Sequence, residues 1–252
     1  MLVVAGHDSS ARAGIDADGR AFARFGIEGA FVVTAWTIQD EGGVKELGAV
    51  PPERWRAEAR AAFTDRVRAV KFGLLPGAEY VHAAAELIEE LRARAPALPV
   101  VVDPVIAASS GSVFLDAQAR AVLVERLVPC GVVLTPNVVE AAMLSGLAAE
   151  DLREHPEARV RAAELLLERG AQAVFLKGGH AAEDPVRDLL LERGKPPRWH
   201  AHPRTRRAGI GGSGCRYAST IAARLALGGS LAEALDEAGN WLAETFAHSG
   251  EG

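Results

Sequence analysis

Short apolar runs alternate with longer amphipathic segments along most of the chain. The apolar runs are Leu2–Ala5, Phe31–Trp36, Ala69–Gly73, Pro99–Asp103, Gly131–Thr135 and Ala173–Lys177. Most of these runs are apolar at consecutive positions, a pattern that is typical of strands buried on both faces of a parallel sheet. The alternation therefore predicts an α/β fold in which a mainly parallel central sheet carries helices on both faces.

The longer segments have apolar residues at three- and four-residue spacing, which predicts helices with one buried face. They are Ala13–Phe25, Pro52–Thr64, Gly77–Ala95, Asp116–Leu127, Val138–Ser145, Glu157–Arg169, Ser213–Leu227 and Leu231–His248. Two later runs, Arg187–Glu192 and Trp199–Thr205, are predicted to be antiparallel strands. Because no linker, repeat or low-complexity segment interrupts the pattern, we expect a single domain over residues 1–252.

The charge and composition of the chain exclude several classes of function. The chain has 28 Lys+Arg and 33 Asp+Glu residues, for a net charge of -5. The two signs are evenly mixed, so no basic stretch indicates binding to nucleic acid or to a membrane surface. No apolar run is long enough to span a bilayer, and the chain begins with a strand-like run instead of a signal peptide. The two cysteines, Cys130 and Cys215, have neither metal-ligand spacing nor a disulfide framework. We therefore expect a cytoplasmic protein.

Polar and glycine residues follow several of the predicted strands. They are Gly6-His7-Asp8, Asp103-Pro104, Pro136-Asn137 and Lys177-Gly178-Gly179-His180. In open α/β sheets, ligands bind beyond the carboxyl ends of the strands. The sequence therefore predicts a small-molecule site at this edge of the sheet.

A glycine-rich stretch, Gly209–Cys215, leads directly into a predicted helix. Free backbone N–H groups at the start of a helix bind anions, above all phosphate. Cys215 falls in the first helical turn, where the same field is expected to lower the pKa of its thiol. The alternative interpretation is an ordinary loop-to-helix junction, in which Gly and Ser serve as caps.

Asn137 and Glu140 open a helix directly after a buried strand. One interpretation is a capping box, in which Glu140 only completes the helix cap with Asn137. The other is that Glu140 helps to hold Mg²⁺, usually through water, beside nucleotide phosphates. Lys177 also follows a strand; it either contacts phosphate oxygens, with Gly178 and Gly179 allowing close approach of a nucleotide, or lies in solvent before a turn.

Asp18 and Gln39 follow the first two predicted strands and are expected to face the same crevice. An acid and an amide together can recognise the donor and acceptor groups of a heterocycle, although each taken singly is typical of a surface. Trp36, close to Gln39, offers a stacking surface. His7 and His180 are interpreted as pocket-lining or solvated, because neither has a metal-ligand partner at suitable spacing.

Seven motifs occur in a fixed order and cover nearly the whole chain. They are Gly6–Asp18, Thr34–Gln39, Lys71–Leu75, Val102–Val105, Thr135–Ala141, Leu176–His180 and Gly212–Cys215. In this order they resemble the hydroxymethylpyrimidine/hydroxymethylpyrimidine-phosphate kinases of thiamin biosynthesis, within the ribokinase-like superfamily. The resemblance implies a three-layer ribokinase-like fold, ATP with Mg²⁺, a pyrimidine substrate and a homodimer.

The resemblance also implies a role for each matching residue. Asp18 and Gln39 would bind the aminopyrimidine, with Gly6 packing close to it. Cys215 would be the base for the substrate hydroxymethyl group. The remaining roles are an anion hole from the backbone of Gly212, Ser213, Gly214 and Cys215, nucleotide binding by Lys177, Gly178 and Gly179, and metal and water binding by Asp103, Asn137 and Glu140.

The chain departs from the family pattern at four places. Ala11–Gly14 replaces Gly-Gly-Ala-Gly, Ala108–Ser112 lacks the usual lysine and acid, Gly209–Gly211 replaces Asn-Thr-His, and Arg216 replaces a small hydroxyl residue. Arg12 or Arg216 is a candidate replacement for the missing lysine. Two alternatives to the pyrimidine kinase stay open. One is a pyridoxal-type kinase, since pyridoxal also presents a hydroxymethyl group on a flat ring. The other, which the altered segments suggest, is a ligand-binding relative with weak catalysis.

Overall fold

The computed structural model describes residues 1–40, 43–108, 111–204 and 212–248. The strands in these ranges form one sheet of nine strands: β1 (Leu2–Asp8), β2 (Ala30–Asp40), β3 (Gly43–Ala49), β4 (Val70–Phe72), β5 (Val100–Val102), β6 (Val133–Leu134), β7 (Ala173–Leu176), β8 (Val186–Glu192) and β9 (Arg198–His202). Their spatial order is β3-β2-β1-β4-β5-β6-β7-β8-β9. The six neighbouring strands β2, β1, β4, β5, β6 and β7 run parallel to one another. The strands β3, β8 and β9 are antiparallel to their neighbours. The predicted mainly parallel sheet is confirmed.

The helices of the described residues agree with most of the predicted ones. They are α1 (Gly14–Arg24), α2 (Pro52–Ala62), α3 (Ala78–Arg94), α4 (Ala117–Val122, continued by a π-helical turn), α5 (Val138–Ser145), α6 (Ala149–Glu154), α7 (Pro156–Glu168), α8 (Ser213–Ala226) and α9 (Leu231–His248). None of them is long and apolar enough to cross a membrane.

Successive residues of the central strands point to opposite faces of the sheet, which divides the core into two layers. In β1, Leu2 and Val4 pack with α2, α3 and α5 to α7 in one layer. Val3 and Ala5 pack with α1, α8 and α9 in the other layer. The sheet is thus buried between two helical layers, as the uniformly apolar strands predict.

Two elements were not predicted, β3 and α6. Most side chains of β3 are exposed because it is an edge strand, and its sequence includes Lys45 and Glu46. No run of buried positions therefore marks it. The strand before it, β2, extends beyond Trp36 to Asp40, so Gln39 lies within the β2–β3 hairpin and not after a strand. Its predicted position is wrong for this reason.

Candidate active site

The motifs at the carboxyl ends of the parallel strands meet at the start of α8. Asp103 follows β5, Lys177 follows β7, and Gly214 lies in the first turn of α8. A Cβ atom placed on Gly214 would lie 3.3 Å from Lys177 Nζ and 3.7 Å from Asp103 Oδ2. Residues that are far apart in the sequence therefore lie close together at this edge of the sheet.

Lys177 and Asp103 form an almost buried ion pair at this edge. The distance from Lys177 Nζ to Asp103 Oδ1 is 2.9 Å, and the Thr135 hydroxyl donates a hydrogen bond of 3.2 Å to the same oxygen. Burial lowers the pKa of Lys177, but Asp103 and Glu140 outweigh burial and the net shift is upward. Lys177 is therefore a fixed positive charge next to the first turn of α8, suited to a phosphate oxygen.

Asn137 and Glu140 form the capping box of α5. The Asn137 side-chain oxygen accepts the N–H groups of Val139 at 2.9 Å and Glu140 at 3.0 Å, and Glu140 Oε2 accepts the Asn137 N–H at 2.8 Å. The capping interpretation is thus confirmed. Since the Asn137 side-chain oxygen is already used by the helix, Asn137 is a weaker metal ligand than predicted.

The charges around Glu140 nevertheless fit a divalent cation. Burial raises the pKa of Glu140 to about 7; Lys177 opposes this shift and Asp103 adds to it. Two buried carboxyl groups therefore share one lysine, and this edge can accommodate additional positive charge. Mg²⁺ prefers carboxylate oxygens and retains several water ligands, so Asp103 and Glu140 fit such an ion, directly or through water.

The turn into α8 depends on Gly212. Its φ is 77°, in the left-handed region, and a Cβ atom there would overlap the carbonyl oxygen of Arg12. The first backbone N–H groups of a helix have no acceptor within the helix. Those of Ser213, Gly214 and Cys215 have no acceptor among the residues that the structure describes, and the Lys177 ammonium group lies beside Gly214. Gly209–Gly211 lies outside the described residues.

Cys215 lies in this first turn, but the expected lowering of its thiol pKa is wrong. Burial raises the pKa of Cys215 to about 11; Lys71 lowers it in part, and Asp18 and Asp103 raise it further. The Gly14 N–H also donates to the thiol. Burial therefore outweighs the charge of Lys71, and the neutral form of the thiol is favoured.

Asp18 does not face the crevice, in contrast to the prediction. The residue is 0% exposed, and both of its carboxylate oxygens lie 3.0 Å from Lys71 Nζ. The hydroxyl of Ser219 in α8 donates to Asp18 Oδ1 at 2.7 Å. Asp18 lies on the face of α1 that packs against α8 and the sheet, so direct contact with a pyrimidine is excluded in this arrangement.

Lys71 is a residue of this site to which sequence reasoning gave no role. Burial lowers its pKa, but Asp18, Cys215 and Asp103 raise it, and the net shift is strongly upward. Lys71 is therefore a buried cation behind Cys215. The signal that could have found it is a charged residue inside the apolar run Ala69–Gly73, in a strand that is covered on both faces.

Gln39 is tied to the turn that precedes α1. Its side chain donates a hydrogen bond to Asp8, which also accepts the N–H groups of Ser10 at 2.9 Å and Ala13 at 3.0 Å. Burial raises the pKa of Asp8, but these hydrogen bonds outweigh burial and the net shift is downward. Close to Gln39 in β2, Trp36 is 52% exposed, and the centroid of its ring lies 4.6 Å from that of His7.

The predicted glycines serve different purposes. Gly6 packs on protein, because a Cβ atom there would lie 2.7 Å from Leu74 Cδ2. Gly178 is buried, and a Cβ atom on it would overlap the carbonyl oxygen of Arg187. Gly179 is exposed with open space around its α-carbon, so of the three it alone offers backbone to an incoming ligand.

The replaced segments bring arginine close to the anion turn. Arg12 is exposed, and its Nε donates to Ser10 at 3.2 Å. Arg20 donates to the carbonyl oxygen of Ala11 at 2.5 Å. Burial and the charge of Arg20 lower the pKa of Arg216. Arg216 therefore adds positive charge beside Cys215, whereas Arg12 contacts Gly212 through its backbone.

The sequence matches a family model described as phosphomethylpyrimidine kinase over residues 8–251. It is 39% identical over 243 residues to the hydroxymethylpyrimidine/phosphomethylpyrimidine kinase of Rhizobium meliloti, and the match covers 96% of this chain and 88% of that protein.

Solved structures have the same architecture. A phosphomethylpyrimidine kinase from Clostridium difficile 630 has a TM-score of 0.77 at 29% identity, over 97% of both chains. The pyridoxal kinase from Staphylococcus aureus in complex with pyridoxal has a TM-score of 0.85 at 28% identity, over 98% of this chain and 87% of that chain. In complex with ADP it has a TM-score of 0.85 at 29% identity, over 96% and 85%. The predicted three-layer ribokinase-like fold is confirmed.

Proposed function

This chain belongs to the phosphomethylpyrimidine kinase family, and on that premise we propose that it uses ATP to phosphorylate the hydroxymethyl group of 4-amino-5-hydroxymethyl-2-methylpyrimidine, its monophosphate, or both, in thiamin biosynthesis. The observation that carries the proposal is the meeting of Lys177, Asp103 and the first turn of α8 at one edge of the sheet. Such a site supplies what phosphoryl transfer requires, namely aligned reactants and stabilisation of spread negative charge.

In the proposed reaction the substrate hydroxyl lies next to Cys215 and attacks the γ-phosphorus of ATP. The bond between that phosphorus and the β–γ bridging oxygen breaks, and ADP leaves. The base is the thiolate form of Cys215, a minor fraction at neutral pH; its Sγ receives the hydroxyl proton and becomes a thiol. The N–H groups of Ser213, Gly214 and Cys215 bind the oxygens of the transferred group, as backbone donors do in other anion holes.

Lys177 contacts the phosphate oxygens of the nucleotide, and Gly179 lets the nucleotide approach the backbone. Asp103 and Glu140 would hold Mg²⁺, which neutralises charge on the phosphates when it is bound. Gly178 shapes the turn without contacting the ligand, because it is buried against β8.

For the pyrimidine, we propose Gln39 as the contacting group, because its side chain bonds to Asp8 beside the turn that packs on Gly212. Trp36 lies three positions earlier in β2, and this odd spacing places its side chain on the other face of the strand. Gly6 contributes by its packing on Leu74. Asp18 acts only through Lys71, since it is fully buried and both of its oxygens already accept from that lysine.

A pyridoxal-type activity is the second candidate, because the Staphylococcus aureus pyridoxal kinase in complex with pyridoxal has the higher TM-score of the two solved enzymes. The values of kcat/KM for hydroxymethylpyrimidine and for pyridoxal separate the two, and we expect the higher value for the pyrimidine. Calorimetry tests the third possibility: tight pyrimidine binding without turnover of ATP would leave a ligand-binding relative and remove the kinase.

A homodimer is also proposed, with the β2–β3 hairpin at the interface. The hairpin exposes Trp36 and Ile38, which share one face of β2, and adjacent exposed apolar side chains are a feature of interfaces. Sedimentation of Ile38→Lys tests this: we expect a monomer, and a wild-type sedimentation profile would contradict it. The cytoplasmic location stays a prediction from the sequence.

A further inference from the structure

Asp188 is a buried carboxylate that contacts the nucleotide turn. It lies in β8, is 2% exposed, and its Oδ1 accepts the Gly178 N–H at 2.7 Å. Lys177 immediately precedes Gly178, and its side chain reaches Asp103. This hydrogen bond fixes the amide between the proposed phosphate-binding lysine and Gly179. The Lys177 N–H to the Pro136 carbonyl, at 2.9 Å, and the Ala181 N–H to the Gly178 carbonyl, at 2.8 Å, hold the same turn from other sides.

The same carboxylate faces polar groups from two other segments. His202 Nε2, at the end of β9, lies 3.5 Å from Asp188 Oδ2. The hydroxyl of Tyr217, in α8, also interacts with Asp188; burial raises the pKa of this tyrosine most, and the carboxylate raises it further. Neither His202 Nε2 nor the Tyr217 hydroxyl has a hydrogen bond of standard geometry among the described residues. Asp188 is the polar group that interacts with both of them.

The three segments that meet at Asp188 all lead to the reacting groups. Gly178 follows Lys177, Tyr217 lies two positions after Cys215, and β9 precedes the connection to Gly212. The backbone of Gly178 also lies directly on the Arg187 carbonyl, where a side chain would overlap. Asp188 therefore contacts the nucleotide turn through the Gly178 N–H and α8 through the Tyr217 hydroxyl.

We propose that Asp188 is a positioning residue for the nucleotide: its carboxylate fixes the Gly178 amide, and thereby Lys177 and Gly179, in the orientation that receives the ATP phosphates. The inference rests on the proposed function. It adds a residue that touches neither substrate nor phosphate and acts through Gly178.

The test compares Asp188→Ala with Asp188→Asn in the intact protein, with MgATP binding measured by calorimetry. A charge-assisted hydrogen bond is strong, so we expect Asp188→Ala to weaken MgATP binding about tenfold or more. The KM for the pyrimidine should change less than about twofold, since the turn does not contact that substrate. Asp188→Asn retains an acceptor oxygen for Gly178 and should restore MgATP affinity to within about threefold of wild type.

Asp116→Ala is the matched control. Asp116 also accepts a backbone N–H, that of Ala119 at 2.8 Å, but it does so at the start of α4. This variant should lower Tm without changing MgATP affinity. Amide hydrogen exchange of the peptide that contains Gly178 should become faster in Asp188→Ala and remain slow in Asp188→Asn.

Unchanged MgATP affinity in a folded Asp188→Ala protein would overturn the proposal, and so would equal losses in MgATP and pyrimidine affinity. If Asp188→Ala does not fold, Asp188→Asn still decides: a folded Asn variant with more than about tenfold weaker MgATP binding contradicts positioning through the Gly178 hydrogen bond. Because the readout is nucleotide binding, failure of the pyrimidine as a substrate does not affect this test.

Discussion

The ammonium group of Lys71 lies 3.0 Å from each carboxylate oxygen of Asp18, and both side chains are fully buried. The pair joins β4 to α1, and the Ser219 hydroxyl joins the same carboxylate to α8. Because α8 starts with the proposed anion hole, the buried Asp18–Lys71 pair supports the helix that carries that hole.

Removal of one partner of the pair should destabilise the protein strongly. Asp18→Ala leaves Lys71 as an uncompensated buried charge, for which a loss of about 3–5 kcal/mol is typical. Urea unfolding measures the change. The double variant Asp18→Asn with Lys71→Met removes both charges and should recover most of the free energy of unfolding.

The double variant also separates folding from catalysis. If Lys71 acts on Cys215 through its charge, kcat should stay low in the double variant although stability returns. Recovery of stability and kcat together would show that the pair is only structural.

Cys215→Ala should remove most of the phosphoryl transfer. A positioned base contributes about 10²- to 10⁴-fold to a rate, so we expect kcat to fall at least about a hundredfold. Pyrimidine binding by calorimetry should stay near the wild-type value, because the thiol is not a proposed binding group. Wild-type turnover in this variant would exclude Cys215 from the mechanism.

The rate of the chemical step should rise with pH. The pKa of Cys215 is raised to about 11 by burial, so the thiolate fraction grows about tenfold with each pH unit below that value. Pre-steady-state rates from about pH 6 to about pH 9 should therefore increase in the wild type. Glu140, with a pKa of about 7, ionises in the lower half of this range, so the decisive part of the profile lies above about pH 8. There a Cys215→Ser protein, whose hydroxyl does not ionise, should lose the increase. A flat wild-type profile with chemistry as the slow step would argue against a thiolate base.

Glu140→Gln should raise the Mg²⁺ requirement without unfolding α5. Glutamine at this position can still complete the capping box with Asn137, so Tm should change little. The Mg²⁺ concentration for half-maximal activity should increase several-fold, because a carboxylate ligand is lost.

Asn137→Ala is the control for this variant. It removes the helix cap, for which a cost of about 1 kcal/mol is typical, and should leave the Mg²⁺ requirement unchanged. An unaltered metal response in Glu140→Gln would leave only the capping role for Glu140.

Much of the fold follows from the sequence because the central strands are buried on both faces, as in Val100–Val102. The edge strand β3 lacks that signal, since most of its side chains are in water. Register and order in the sheet depend on contacts between distant segments, which the local pattern does not contain.

The site is predictable where residues end a strand or start a helix, as for Lys177 and Cys215. The position of Asp18 was wrong because its partner, Lys71, is distant in the sequence, and only the packing of α1 on the sheet shows that their side chains meet. The pKa of Cys215 was wrong for a related reason: sequence locates the helix start but not the burial of the thiol.

The most direct test of the central claim is mass-spectrometric detection of the product after incubation of the protein with MgATP and hydroxymethylpyrimidine. We expect a phosphorylated pyrimidine that forms with an equal amount of ADP, and almost none with Cys215→Ala. ATP that is left intact in the presence of bound pyrimidine, or ADP released without a phosphorylated pyrimidine, would contradict the account.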